Sequence, residues 1–154
     1  MPELCPASSR SVSAARPLVV LVQPPGACKT FTRSRSVYPP LGLCQVAAAV
    51  PEDQVVVLDA DGLGLDDAQA QAAILALQSL LVGFTVTSYT LELIEKFVVS
   101  LRMFGIVGIA GGPHASLAPL DVLSRCPSID YVVRGEGEAI FPELCVRLRQ
   151  QQYL

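Results

Sequence analysis

The chain has 154 residues, of which 51% are hydrophobic and 16% charged, and its formal net charge is −3. This length predicts one domain, and the small negative charge excludes a broad electrostatic attraction to nucleic acid or to an anionic membrane. No apolar run reaches the ~18 residues that a membrane helix needs, and the first residues lack the pattern of a signal peptide, so we predict a cytoplasmic protein.

The first part of the chain divides into a leader and the start of a domain. Residues 1–17 are rich in Ser, Ala and Pro without periodicity, which predicts a disordered leader before a domain at 18–150. The wholly apolar segment Leu18–Gln23 predicts a central strand, which Pro24 and Pro25 end. A long loop follows, and a loop of this length inside a compact domain is more often functional than not.

Two helices and two strands are predicted in the next part of the chain. Pro40 is placed to open a helix that runs to Val50, because proline is favoured in a first turn. Gln54–Leu58 reads as the second strand and Leu80–Phe84 as the third. Between them, Asp66 or Asp67 is expected to cap a helix whose apolar positions have the helical period: Ala70, Ile74, Leu77 and Leu81.

The last third of the chain continues the alternation of helix and strand. A helix with an outer Glu92–Lys96 pair is expected to bury Ile94, Phe97, Val98 and Leu101. Ile106–Ala110 and Tyr131–Val133 predict the fourth and fifth strands, with a short helix near Leu117–Arg125 between them. The final helix is expected to bury Ile140, Phe141, Leu144 and Leu148.

Five strands that alternate with five helices predict an α/β fold, a Rossmann-like parallel sheet with helices on both faces. The flavodoxin-like strand order 2-1-3-4-5 is expected, with right-handed crossovers. In such sheets, ligands bind at the carboxyl ends of the strands. The predicted ligand-contacting residues at these ends are Pro24, Pro25, Thr85, Thr87, Ser88, Gly111, Gly112, Pro113, His114, Gly135, Glu136, Gly137 and Glu138.

These strand ends offer mainly hydroxyls and backbone amides, which suit a large ligand edged with amides or phosphate. They are poor candidates for covalent chemistry. The chain has one histidine, His114, which we place in a loop, and no serine is expected to form a Ser–His–Asp arrangement with it. No residue is therefore predicted to be catalytic.

Several common sites are excluded by spacing. The five cysteines are not closely spaced, so no zinc or iron–sulfur site is predicted, and mostly buried thiols are expected. The glycines at 105–112 precede and end a strand, whereas a dinucleotide fingerprint follows its strand, and no Walker-type Gly-Lys-Ser/Thr occurs.

Four segments in order carry a resemblance to a known family. They are Tyr38–Leu43 (YPPLGL), Val57–Ala60 (VLDA), Gly111–Ser116 (GGPHAS) and Val132–Glu138 (VVRGEGE). This series closely resembles the N-terminal cobalamin-binding domain of B12-dependent radical SAM enzymes. The resemblance implies cobalamin held against the strand ends, with its nucleotide tail in the sheet.

The chain also departs from related patterns. Corrinoid domains of the methionine synthase type carry Asp-x-His-x-x-Gly after the first strand, with the histidine on cobalt. Here Asp59–Gly64 follows the second strand and has Asp61 at the histidine position, so we interpret it as a loop leading into a helix. The resemblance then implies base-off cobalamin without a histidine ligand. The Cys-x-x-x-Cys-x-x-Cys motif of a radical SAM domain is absent from the sequence.

Three functions remain open at this point. The first is a cobalamin-binding module that acts with a radical SAM domain or partner protein, in methyl transfer or a related radical reaction. The second is a free-standing corrinoid carrier or sensor without catalysis. The third is a structural α/β domain that has lost its ligand, since a fold alone does not fix a function.

Overall fold

A computed structural model of the chain describes residues 18–26, 39–51 and 54–151, without the side chains of Arg149 and Gln151. The predicted leader at 1–17 lies outside these residues. The described strands are β1 (Val19–Gln23), β2 (Val55–Asp59), β3 (Leu81–Thr85), β4 (Val107–Gly111) and β5 (Tyr131–Val132). They pair in parallel in the order β2-β1-β3-β4-β5, which confirms the predicted α/β fold and strand order.

Six helices occur in the described residues, where the sequence predicted five. They are α1 (Leu41–Ala48), α2 (Asp67–Leu77), α3 (Leu91–Arg102), α4 (Pro113–Leu117), α5 (Pro119–Arg125) and α6 (Gly137–Gln151). The additional helix α4 begins at Pro113 and is separated from α5 by Ala118, whose φ of −134° is not helical. Proline suits a first helical turn and disfavours a helical residue before it, so Pro119 enforces the break. His114, predicted in a loop, therefore lies in α4.

Alternate side chains of the strands pack against helices on opposite faces of the sheet, as predicted. On one face, Val20, Val82 and Phe84 join a core built with α2, α3, α4 and α5. Phe84 meets Phe97 of α3 edge to face, with ring centroids 6.0 Å apart. On the other face, Leu21 and its neighbours pack against α1 and α6. Both faces are thereby shielded from water, as an all-parallel sheet requires.

One predicted burial assignment is wrong. Ile140 is 45% exposed, because the face of α6 that meets the sheet is formed instead by Phe141, Cys145 and Leu148. Leu81, which the sequence placed both in the helical pattern and in the third strand, is buried and belongs to β3, since α2 ends at Leu77 and the next residue has left-handed backbone angles. Among the cysteines, which were expected to be mostly buried, Cys44 is exposed on α1.

Two other cysteines are buried as predicted. Burial raises the pKa of the Cys126 and Cys145 thiols to about 11, because desolvation disfavours the thiolate. Both side chains therefore behave as small apolar core residues rather than as nucleophiles. Cys5 and Cys28 lie outside the described residues.

Helix α2 begins with a complete capping box. The Gln69 backbone N–H donates to Asp66 Oδ1 at 2.8 Å, and the Asp66 N–H donates to Gln69 Oε1 at 3.0 Å. Of the two aspartates that the sequence offered as caps, Asp66 is thus the N-cap and Asp67 is the first helical residue.

We predict that Asp66→Ala lowers the free energy of unfolding by about 1 kcal/mol, because it removes the N-cap acceptor. Asp67→Ala is the matched control, and it should cost about 0.5 kcal/mol or less, since it removes only a charge near the helix start. Urea unfolding followed by circular dichroism measures both. Equal losses in the two variants would contradict the assignment.

Candidate functional site

The parallel sheet brings the segments that follow the strands to one edge, its carboxyl edge. The ends of β1 and β2 are joined there by Asp61, whose buried Oδ1 accepts the Gly26 N–H at 2.8 Å. Asp59 Oδ1 accepts the Gly62 N–H at 2.8 Å. Asp59 therefore holds the backbone of the loop that leads toward α2, in agreement with its interpretation from the sequence, whereas Asp61 ties this loop to the segment after β1.

A cleft of about 190 Å³ opens between the sheet and helices α1 and α6. We call it the slot. Its walls are largely apolar or made of backbone, with Gln45 and Glu138 among the polar side chains that line it. The lining residues are Leu21, Gly42, Leu43, Gln45, Val46, Gly83, Phe84, Thr85, Ile109, Gly111, Gly112, Pro113, Val133, Gly135, Gly137, Glu138 and Phe141.

Two strand glycines lie on the face of the sheet that borders the slot, but their surroundings differ. A Cβ added to Gly83 would lie 2.6 Å from Leu21 Cδ2, so Leu21 already fills the space above this glycine. A Cβ added to Gly111 would have the Val133 carbonyl oxygen, 3.9 Å away, as its nearest neighbour. Gly111 therefore leaves open volume at the carboxyl edge, in a position where any larger residue would project a side chain.

Gly112 is required by the backbone. Its φ is +94°, and an added Cβ would lie 2.9 Å from Thr85 Cγ2. On either side of it, the Val86 N–H donates to the Gly111 carbonyl at 2.8 Å and the His114 N–H donates to the Val86 carbonyl at 3.1 Å. The turn after β4 is thus fitted closely onto the end of β3, and a glycine is needed to make it.

Ser116 connects the ends of β4 and β5. Its hydroxyl donates to the Gly112 carbonyl at 2.9 Å and accepts the Gly135 N–H at 2.9 Å. Arg134 Nε adds a longer bond of 3.4 Å to the Ser116 carbonyl. This one side chain therefore fixes the two glycine turns that form a wall of the slot.

A second, more open cavity shares Pro113 with the slot, and His114 is part of its lining. It is lined by Thr87, Ser88, Tyr89, Pro113, His114 and Leu117. Ser88 Oγ is 3.0 Å from His114 Nδ1, and His114 Nε2 is 2.8 Å from Asp121 Oδ2. The expectation that no serine forms a Ser–His–Asp arrangement is therefore wrong. Asp121 reaches the ring because the break at Ala118 turns α5 back toward α4.

The structure separates the predicted contact residues into three groups. Those lining the slot are Thr85, Gly111, Gly112, Pro113, Gly135, Gly137 and Glu138. Those lining the second cavity are Thr87, Ser88, Pro113 and His114. Pro24, Pro25 and Glu136 line neither: both prolines are buried after β1, whereas Glu136 is exposed.

Sequence reasoning missed the α1 and α6 side of the slot, formed by Gly42, Leu43, Gln45, Val46 and Phe141. Gly42 and Leu43 lie in Tyr38–Leu43, one of the four segments that carry the family resemblance, so that segment could have indicated them as site residues. Gly83 was also missed, although an isolated glycine inside a strand pattern indicates close approach of another group.

The described residues lack two kinds of feature, a membrane-spanning helix and a cluster of metal ligands. No helix in this part of the chain is long and apolar enough to cross a membrane. Among the same residues, no three His, Cys, Asp or Glu side chains are grouped so that they could hold a metal ion.

The chain matches a protein-family model over most of its length. The family model described as the B12 binding domain matches residues 29–145. A solved structure of the cobalamin-dependent S-adenosylmethionine radical enzyme OxsB, with aqua-cobalamin and S-adenosylmethionine bound, has a TM-score of 0.69 at 19% identity. That likeness covers 89% of this chain and 19% of the OxsB chain, and it confirms the Rossmann-like fold.

Curated relatives are longer than this chain. An uncharacterized methyltransferase of Pyrococcus horikoshii is 34% identical over 131 residues, which is 82% of this chain. The anaerobic magnesium-protoporphyrin IX monomethyl ester cyclase of Synechocystis is 26% identical over 142 residues, or 88% of this chain. The present chain spans about 28% of the length of each relative.

The two strand glycines of the slot are predicted to respond differently to substitution by alanine. Gly83→Ala should lower the free energy of unfolding by about 1–3 kcal/mol, because the buried Leu21 side chain must move. Gly111→Ala should change it by about 0.5 kcal/mol or less, because the new methyl group meets open space. Urea denaturation of both variants makes the comparison, and a larger loss for Gly111→Ala would refute the described shape of the slot.

Proposed function

Because this chain belongs to the B12-binding domain family, we propose that cobalamin binds at the carboxyl edge of its sheet, with the nucleotide tail in the slot. The observation that carries the proposal is the slot itself, which opens at this edge and extends along the sheet toward Leu21 and Ile109. In open parallel sheets this edge is the usual binding position.

The residues present fit the group in both shape and chemistry. Gly111 leaves volume that a Cβ would fill, and a Cβ added to Gly42 would meet no atom within 4 Å apart from its chain neighbours and the backbone of its own helix. The slot wall offers apolar side chains for an aromatic base, together with Thr85, Gln45 and Glu138 as polar partners for the rest of a nucleotide. The contribution of this chain is to bind and orient the cofactor, while cobalamin supplies its cobalt for alkyl-group chemistry.

A ring of exposed apolar side chains supports a partner that covers this edge. Among the described residues, the first exposed large apolar residue after each of the five strands is 45–86% exposed. In chain order these residues are Leu41, Leu63, Tyr89, Leu117 and Ile140. Exposed apolar surface next to a ligand site marks an interaction site, and these five residues lie on segments that follow the strand ends where we propose the cofactor.

A radical SAM domain, in the same polypeptide or in a separate protein, is the partner that we propose for this ring. The size of the relatives supports it, since they extend well beyond the matched region. Methyl transfer or a related radical reaction is the activity proposed for the complete assembly. Without such a partner the ring would face water, so it favours this function over a free-standing corrinoid carrier or sensor.

The cobalamin site is tested by filling the slot. The parent protein, reconstituted with hydroxocobalamin and desalted, should retain about one corrinoid per chain, measured by visible absorption. Gly111→Val should weaken binding by at least about tenfold, because its side chain would occupy the open volume while a β-branched residue suits a strand. A parent protein that keeps no corrinoid would contradict the proposal.

Ala76→Val on the exposed face of α2 is the matched control for added bulk, and it should bind like the parent. Circular dichroism must show that Gly111→Val remains folded. If a folded Gly111→Val variant binds cobalamin as well as the control does, the slot is not the site of the nucleotide tail.

We further propose that cobalamin is bound base-off and that His114 does not ligate cobalt. Both ring nitrogens already have protein partners, Ser88 at Nδ1 and Asp121 at Nε2, so ligation would require one of these bonds to break. His114→Ala should therefore leave the absorption and electron paramagnetic resonance spectra of bound cobalamin unchanged in the region that reports axial nitrogen. Loss of a nitrogen signal in this variant would identify His114 as the ligand.

A further inference from the structure

Ser88, His114 and Asp121 form a continuous hydrogen-bonded line beside the second cavity, and the slot does not involve it. The two distances are 3.0 Å from Ser88 Oγ to Nδ1 and 2.8 Å from Nε2 to Asp121 Oδ2. The His114 side chain is only 16% exposed. Protein atoms, rather than bulk water, therefore determine where the proton of this ring resides.

Asp121 determines the tautomer of His114. An ionised carboxylate only accepts hydrogen bonds, so Nε2 must carry the proton that it donates to Asp121. Arg125 Nη1, 3.6 Å from the same carboxylate oxygen, supplies a balancing positive charge. In the neutral ring Nδ1 is then an acceptor, and the Ser88 hydroxyl donates its proton to it.

The Ser88 hydroxyl consequently keeps its two lone pairs as acceptors, and Ser88 is exposed at this cavity. The neighbouring hydroxyl of Thr87 is engaged with Thr90, whose N–H it accepts at 3.2 Å and whose Oγ1 lies 3.1 Å away. Pro113 and Leu117 add apolar wall around the serine. The cavity thus presents the Ser88 hydroxyl oxygen as a hydrogen-bond acceptor between partly apolar walls. Such a site suits a ligand that brings one N–H donor on a flexible arm.

We propose that Ser88 selects a primary amide arm of the bound corrinoid, with Asp121 acting through His114 as the positioning residue. The inference rests on the proposed cobalamin site, because Pro113 lines both the slot and this cavity and one ligand can reach both. Acetamide and propionamide arms surround a corrin ring, and their NH₂ groups donate. A carboxylate at the same place would meet the serine lone pairs and be rejected.

The experiment uses cobalamin derivatives in each of which one propionamide arm is hydrolysed to a carboxylate. Every isomer carries the same added negative charge. A difference in binding affinity among the isomers therefore reports the position of the carboxylate and not its charge. The parent protein should bind one isomer roughly tenfold more weakly than the others, because that carboxylate finds no donor. Affinities are measured by titration of the corrinoid absorption.

Two variants separate the roles of Ser88 and Asp121. In the parent, the affinity of the other isomers exceeds that of the weakest isomer by a ratio of roughly ten. Ser88→Ala should reduce this ratio to about twofold or less, since the oriented acceptor is gone. Asp121→Leu should lower the ratio as well, because Nε2 loses its acceptor and the Nδ1–H tautomer becomes populated. Ser124→Ala, whose hydroxyl donates to the Asp121 backbone carbonyl at 3.0 Å, is the control and should keep the parent ratio.

The tautomer provides a readout that does not depend on cobalamin. With one histidine in the chain, the ring nitrogens give a single pair of ¹⁵N resonances. The parent and Ser124→Ala should show the Nε2–H tautomer, and Asp121→Leu should show a clear increase of Nδ1–H. A parent protein with Nδ1–H would overturn the proposal.

The remaining outcomes separate this proposal from the proposed function. If cobalamin itself does not bind, the proposed function fails and this selection fails with it. If cobalamin binds but all isomers bind alike, or if Ser88→Ala keeps the tenfold ratio, only the selection by Ser88 is refuted. A ratio that stays at tenfold in Asp121→Leu refutes the positioning role of Asp121.

Discussion

Parallel pairing of all five described strands is the constraint on which the rest of the structure depends. It requires a helix or long connection after each strand, so both faces of the sheet are covered and the carboxyl ends of the strands lie at one edge. Polar groups that the core cannot hold are consequently gathered at that edge. The slot extends from the same edge, where Gly111 has no side chain to fill the space between the sheet and helices α1 and α6.

Glycines at this edge have two separate physical roles. Gly112 allows a turn with positive φ that fits onto β3, and Gly83 allows close packing by Leu21; both are needed by the protein itself. Gly111 and Gly42 have space around them that the protein does not use. Some of these glycines are therefore needed by the fold, and others leave space for a ligand. They are neighbours of the same residue type, so inspection of the sequence alone does not distinguish the two roles.

The sheet, its strand order and most of the edge residues could be predicted, because strand period and glycine-terminated apolar runs are local signals. The errors arose where tertiary geometry decided the outcome. Ile140 has the helical period but lies just outside the face of α6 that meets the sheet. The contact of His114 with Asp121 depends on a helix break at Ala118, and no short-range pattern relates Ser88 to a residue 33 positions later, Asp121.

The short strand β5 has a consequence for how the slot can open. Only Tyr131 and Val132 pair with β4, whereas the β1–β2 and β3–β4 ladders each pair five residues. Local opening free energy falls as fewer bonds and contacts must break, so the β5 edge is the weakest part of the sheet. Because this edge continues into the Gly135 turn and α6, opening of the β4–β5 pairs would widen the slot while the pairs between β1 and β3 stay formed.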